Sequence, residues 1–188
     1  MSLVSTIIIA TISGEKLNPQ IKESERYKYW VSIEDGRRCI ICERLHGKIW
    51  LVSEKPSSEP PKHFKCRCRI EKMKAIVAGT ATINGTNGAD WTLKYKKTLP
   101  NYYVTRAEAE AHGWRRGKNP SDFIPNKMIT AGIYHNDDGH LPSAKGRIWY
   151  EADINYKTGK RNSQRILWSN DGLIFVTYDH YKTFYEII

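Results

Sequence analysis

Apolar and polar positions alternate from residue 148 to residue 156. Ile148, Tyr150, Ala152, Ile154 and Tyr156 fall on one face, and Trp149, Glu151, Asp153 and Asn155 on the other. Side chains leave a strand on alternate faces, so this run predicts a half-buried strand. Lys157, Thr158 and Gly159 make a turn. Residues 165–168 return as a second strand, Asn170-Asp171-Gly172 is a strong hairpin signal, and residues 173–177 form a third strand. The product is an antiparallel meander whose core face carries Ile154, Ile166 and Ile174.

The rest of the chain is read in the same way. The β-branched run over residues 3–12 predicts a buried strand, or the end of a segment whose partners lie elsewhere. Residues 14–21 read as a loop, residues 26–33 as a strand closed by the turn Glu34-Asp35-Gly36, and residues 47–52 as another strand before a loop over 54–61. Residues 78–90 are rich in Gly, Thr and Asn without apolar period, which predicts a linker. Asp90 can N-cap a helix reaching residue 97, with Trp91 and Tyr95 one turn apart facing inward. Leu99-Pro100-Asn101 stops it. Thr105 caps a second helix over 106–112, Glu108 completes a capping box and Gly113 ends it. Residues 114–125 read as loop and 127–134 as a strand. The organisation expected is a small Cys-rich β module over 1–77, a linker over 78–89 and a domain over 90–188.

The polar face of the meander carries the chemistry. Glu151 and Arg165 can sit side by side on neighbouring strands, and Arg161 lies four residues before Arg165. His180 shares register with Ile174 and Val176, so a loop must begin near Tyr178 for the imidazole to reach that face. Taken singly, a Glu beside arginines is ordinarily a structural ion pair and an isolated His a satisfied surface group. Together they form a set that can cleave RNA without a metal. Cleavage needs a base for the 2′-hydroxyl proton, an acid for the leaving 5′-oxygen, and cations for the charge growing on phosphorus. Glu151, kept ionised by arginines, suits the base, and His180 suits the acid. Arg161 and Arg165 can grip phosphate oxygens bidentately. Asp153 reads as the structural partner that holds both arginines.

Charge agrees with a polyanionic partner. The chain of 188 residues has 30 Lys and Arg against 20 Asp and Glu, a formal charge of +10. The excess is even, 15 basic against 10 acidic side chains in residues 1–90 and the same in 91–188. A hydrophobic content of 40%, with 6 Trp and 11 Tyr, excludes a disordered chain. The run over 3–12 is too short to cross a bilayer and lacks a basic n-region and a small-residue cleavage site. No membrane contact and no ordinary signal-peptide secretion are therefore expected.

All 4 cysteines fall within thirty residues, as Cys39-Ile-Ile-Cys42 and His63-Phe-Lys-Cys66-Arg-Cys68. Cys39, Cys42, Cys66 and Cys68 can close around a structural zinc, with His63 able to replace one of them. Two disulfides, or free thiols, are the alternatives. A thioredoxin-like redox role lacks its βαβ context, and His46 reads as a surface turn residue.

Two resemblances add to this. LPNYYVTRAEAEAHGW, NPSDFIPNKMI, GHLPSAKGRIWYEADINY, GKRNSQRIL, SNDGLIF and TYDHYKTF resemble, in family order, segments of the small guanyl-preferring bacterial ribonucleases, the barnase family. The resemblance implies an α+β fold, N-terminal helices packed on a five-stranded antiparallel sheet. It also implies metal-independent cleavage of single-stranded RNA after guanosine through a 2′,3′-cyclic phosphate. Glu151 would be the base, His180 the acid, and Arg161, Arg165 and Arg106 would serve phosphate. His135, Asn136 and Asp138 of the loop HNDDGHLP, with Tyr181, would bind the base. This chain departs from the family pattern in having Arg106 for a lysine, Asp137 for an arginine, Asp138 for a glutamate and Gly132 for an aspartate. A monomeric toxin paired with a small acidic inhibitor of the barstar type is implied, and secretion or delivery by a route other than a signal peptide is expected. DGRRCIICERLHGKIW and EPPKHFKCRCRI resemble the C-terminal end of phage head-morphogenesis (Mu F-like, minor capsid) proteins, over about residues 24–73. The alternative function is an inactive RNA-binding or phage-assembly accessory protein.

Overall fold

The computed structural model describes residues 9–10, 16–55 and 59–188. Most of the strand expected over 3–12, and residues 56–58 of the loop expected over 54–61, lie outside the described residues. Strands β1 (Ile9–Ala10) and β2 (Lys16–Leu17) pair antiparallel, so the loop expected over 14–21 contains a short strand. Next come β3 (Ile21–Val31), α1 (Ile40–Leu45), β4 (Ile49–Leu51), β5 (Arg69–Ile76), α2 (Ala89–Lys96), β6 (Tyr103–Thr105) and α3 (Arg106–Ala111). The chain continues through β7 (Met128–Tyr134), β8 (Trp149–Asp153), β9 (Arg165–Ser169), β10 (Ile174–Thr177) and β11 (Tyr185–Ile187).

The larger sheet has nine strands in the order β4-β3-β5-β11-β10-β9-β8-β7-β6. It is mixed, parallel at β11–β5 and at β6–β7. This overturns the expected α+β fold of helices on a five-stranded antiparallel sheet. Helix among the described residues is confined to α1, α2 and α3, of 6, 8 and 6 residues, and two 3-10 turns. The reason lies in the added strands. The three-residue β6 and the Lys/Glu-rich β5 show no clear alternation, and parallel partners carry no hairpin signal between them.

Contacts divide the chain into two compact units. One comprises Met1–Lys22, Ala75–His135 and Arg147–Ile188, the other Glu23–Lys74 and Asn136–Gly146. In the first, β8, β9 and β10 form the meander that the alternation predicts, with Ala152 opposite Ile166 and Ile174 opposite Trp168. Ile154, Ile166 and Ile174 join Ile76, Leu93, Val176 and Ile187 in one buried cluster. Burying such side chains contributes about 1.5–3 kcal/mol each, which makes this layer the main support of the site above it.

The helix α2 meets that cluster differently from expectation. It buries Ala89, Asp90, Thr92 and Leu93, while Tyr95 is 58% exposed and packs on Trp91 at 5.1 Å between ring centroids. Small Ala89 and Leu93, one turn apart, let the helix approach the sheet where two aromatics would hold it off. The cap also shifts, because Gly88 is the N-cap and Asp90 lies inside the first turn. Its carboxylate accepts bonds from Gly79 N (2.7 Å), Ala81 N (2.9 Å) and Thr82 Oγ1 (2.7 Å). Burial raises the Asp90 carboxyl above its ordinary range, against the pull of those bonds. The 78–90 stretch is thus fastened at Ala78 and Ala81, which lie in the core cluster.

A Cβ on Gly88 would stand 1.8 Å from Thr82 Oγ1 and 2.8 Å from Asp90 Oδ1. Gly88→Ala is therefore expected to destabilise by at least about 1–3 kcal/mol, seen as a lower denaturant midpoint. An unchanged midpoint would show the Thr82–Asp90 bond to be dispensable. The second helix follows the sequence closely: Thr105 caps α3 and Glu108 completes the capping box.

In the second unit the strand predicted over 26–33 spans Ile21–Val31 instead. Ser24, Tyr27 and Trp30 are buried at every third position, and Ser24 Oγ accepts from Arg26 N and Tyr27 N. That local irregularity breaks the two-residue period. Antiparallel β4 follows, and Ile49 N donates to His140 O at 2.9 Å.

Candidate active site

Strand register decides which acid faces which cation. Asp153 is directly opposite Arg165 and Glu151 opposite Leu167, so Glu151 and Arg165 are diagonal neighbours on one face of the sheet. Asp153 is buried at 1% exposure and takes both arginines. Arg161 donates Nε at 2.8 Å and Nη2 at 2.6 Å, and Arg165 Nε lies at 3.1 Å. Arg165 is itself 6% exposed and donates to the carbonyls of Asn162 (2.8 Å) and Gln164 (2.7 Å). Burial works against the charge on Arg161, yet Asp153, with Glu151 behind it, holds its pKa above the ordinary value. The partner role expected of Asp153 is what the geometry shows.

Glu151, half-buried, accepts at Oε2 from the Tyr181 hydroxyl at 2.5 Å. Burial first, and Glu151 second, push the phenol of Tyr181 far up. The Tyr181 ring stacks on Tyr134 at 5.3 Å and 21°, and the exposed His180 ring meets it at 4.8 Å and 58°.

The loop carrying His180 breaks where parity requires. Strand β10 ends at Thr177, and His180 (φ 60°) and Tyr181 (φ 67°) are both left-handed. Two successive non-glycine residues in that region are strained and need support from outside. Thr177 Oγ1 accepts from Tyr181 N at 3.0 Å, and Asp179 Oδ1 accepts from Thr177 Oγ1, Lys182 N and Thr183 N. Ser163 Oγ donates to Tyr178 O at 3.0 Å, and His180 N donates to Ser163 O at 3.1 Å. The residues between the two arginines therefore clip the histidine loop.

Opposite Glu151 stands Gly132, with φ 83° at a register shift in β7 and nothing within 4 Å of where a Cβ would be. A side chain there would have open space but a strained backbone. Arg106 opens α3 and donates Nε to Glu110 at 2.8 Å, so the structure pairs it with its own helix rather than with the site carboxylates. His135 is exposed just past β7.

Asn136 and Asp138 belong to the other unit. Asn136 (φ 51°) closes its own loop, accepting from Leu141 N at 3.0 Å and donating to Leu141 O at 2.9 Å. Exposed Asp138 raises the pKa of neighbouring His140 against burial, which lowers it more. Glu151, Arg161, Arg165 and Tyr181 are thus brought together, and the His180 ring packs on Tyr181. Tyr134 and Ser163 join them and were missed. Only the aromatic end of β7 and a Ser between the arginines could have signalled them.

A second cluster lies in the other unit. Cys39 N-caps α1 and its Sγ accepts from Cys42 N. His63 Nε2 is 3.2 Å from both Cys39 Sγ and Cys42 Sγ, and Cys42 Sγ is 3.9 Å from Cys66 Sγ. All four thiols are free, and the cluster could hold a metal ion. Burial raises the Cys42 and Cys68 thiols. It opposes ionisation of Cys66 too, but hydrogen bonds bring that thiol down to about 7.

Residues 87–188 match a family model described as ribonuclease. The chain belongs to the ribonuclease family. A ribonuclease of Heyndrickxia coagulans is 47% identical over 109 residues, 57% of this chain and 99% of the relative. Those of Bacillus intermedius and Bacillus pumilus are 47% identical over 118 residues, 62% of this chain and 72% of each relative. The barnase-like resemblance holds, and Glu151, Arg161, Arg165 and His180 all fall inside the matched span. Residues 6–71 match a model described as phage Mu protein F like protein, so that likeness begins earlier than residue 24.

Proposed function

We propose that the ribonuclease domain cleaves single-stranded RNA by transphosphorylation, with Glu151 taking the 2′-hydroxyl proton and His180 protonating the leaving 5′-oxygen. The observation that carries this reading is the division of labour between two carboxylates on one strand. Asp153 is sealed under Arg161 and Arg165, while Glu151 stays half-buried beside them, held by one hydroxyl. The first fixes the cations and the second is left for chemistry. Tyr181 must release Glu151, or turn with it, when the ribose arrives.

The 2′-oxygen attacks phosphorus as its proton passes to Glu151, the P–O5′ bond breaks, and His180 donates the proton the 5′-oxygen takes up. Arg161 and Arg165 meet the negative charge on the equatorial oxygens. The product is a 2′,3′-cyclic phosphate, and no step uses a metal. Guanine preference would rest, as the family resemblance implies, on the carboxylate of Asp138, which can accept from guanine N1 and N2. The phage-like segment acts as carrier or assembly module ahead of a toxin domain. A small acidic inhibitor protects the producing cell by covering the basic site.

The test is incubation of single-stranded RNA with the full chain in EDTA. Cyclic phosphate ends are expected, and an oligonucleotide lacking the 2′-hydroxyl at the cleavage position should survive intact. An RNA band shifted but uncut, or cut only with divalent metal, would overturn the proposal.

A further inference from the structure

We infer that Cys39, Cys42, His63 and one sulfur of the Cys66–Cys68 pair form a tetrahedral zinc site that holds the second unit together. Two sulfurs bound to one zinc lie about 3.8 Å apart, and a sulfur and an imidazole nitrogen about 3.6 Å, given tetrahedral angles and bonds of about 2.3 and 2.0–2.1 Å. The observed 3.9 Å for Cys42–Cys66 and 3.2 Å for His63 to Cys39 and to Cys42 bracket those values. Cys42 is the sulfur common to both groups of converging donors.

The imidazole is already set for a ligand. His63 Nδ1 lies 2.9 Å from Phe64 O, so it carries the proton and leaves the Nε2 lone pair facing the two sulfurs. The other group of donors is Cys42, Cys66 and Cys68, whose sulfurs all lie within 4.8 Å of one another. The cavity over the cluster has a volume of about 20 Å³, room for one ion and not for an organic cofactor.

The surroundings suit the charge of such a centre. Three thiolates on Zn²⁺ leave one net negative charge, and Arg37, Arg38, Lys65 and Arg67 line the same cavity. Arg67 lies between Cys66 and Cys68 and grips Asp35 at 2.7 Å through each of two nitrogens. That pair ties the ligand-bearing strand to the turn just before Cys39. All four zinc positions are filled by protein, so the site is structural and takes no water to a substrate.

The full chain is purified without chelator, its zinc counted by mass spectrometry and its thiols by titration after denaturation. One zinc per chain and four titratable thiols are expected, with a large fall in melting temperature on chelation. The Co²⁺ form should show tetrahedral d–d bands and charge-transfer intensity for three thiolates. His63→Ala and Cys42→Ser should lose zinc affinity by about tenfold or more, and of Cys66→Ser and Cys68→Ser one should lose it and the other keep it. If His63→Ala does not fold, the Co²⁺ spectrum of the unmutated chain still decides. Four-thiolate intensity, absence of bound metal, or titration of no thiols because disulfides have formed would each overturn the site. RNA cleavage in EDTA is read separately, so loss of one proposal leaves the other standing.

Discussion

Glu151→Ala is expected to lower kcat/KM on single-stranded RNA by about 10²–10⁴-fold, the usual contribution of a positioned general base. The Glu151 carboxylate accepts one hydrogen bond among those described, from Tyr181, and it does not share in the buried ion pairs of Asp153. Removing it should leave stability within about 1 kcal/mol, because half-buried surface substitutions away from a network change little. Glu151→Gln keeps the shape and can still accept from Tyr181, so its loss of rate should match that of alanine. Initial rates on a short oligoribonucleotide, with an unfolding curve for each variant, separate the two effects. A loss under tenfold in both variants would move the base elsewhere.

Asp153→Ala should be the most destabilising single change in the domain, at about 3–5 kcal/mol. One carboxylate at 1% exposure balances two guanidinium groups, and Arg165 is itself only 6% exposed. Removing it leaves two cations side by side in a poorly screened environment, and each loses its orienting acceptor. The cost should appear in the urea midpoint with the slope unchanged. If the variant stays folded, phosphate affinity should fall as well, because Arg161 swings free. Screening by salt cannot rescue a buried pair, so the deficit should persist at high ionic strength. A stability change below about 1 kcal/mol would mean that Asn162 and Gln164 alone hold Arg165.

What could be read from the residues was local. Alternation from 148 to 156, which Trp149 alone interrupts, and the Asn170-Asp171-Gly172 turn point to the β8–β10 meander, and the parity of His180 calls for a break at Tyr178. The Thr105–Glu108 box is a four-residue signal and survives intact. Long-range choices were not legible. Strand β6 has three residues and a parallel partner, and β11 finds β5 more than a hundred residues away in the chain. The inward face of α2 is not the Trp91–Tyr95 face that their one-turn spacing suggests, because Ala89 and Leu93 are the residues buried against the core. In the site, the Asp153–Arg165 pairing depends on register rather than spacing. The bond from Tyr181 to Glu151 needs a loop conformation that composition does not encode.

Ser163 bonds the histidine loop through both its hydroxyl and its carbonyl. The proposed acid and the segment between the proposed phosphate-binding arginines therefore share one latch. Whatever unfastens it, whether thermal fluctuation or an arriving strand, releases both groups in a single event. Deuterium uptake at the His180 amide is a direct clock for how often the proposed catalytic set comes apart.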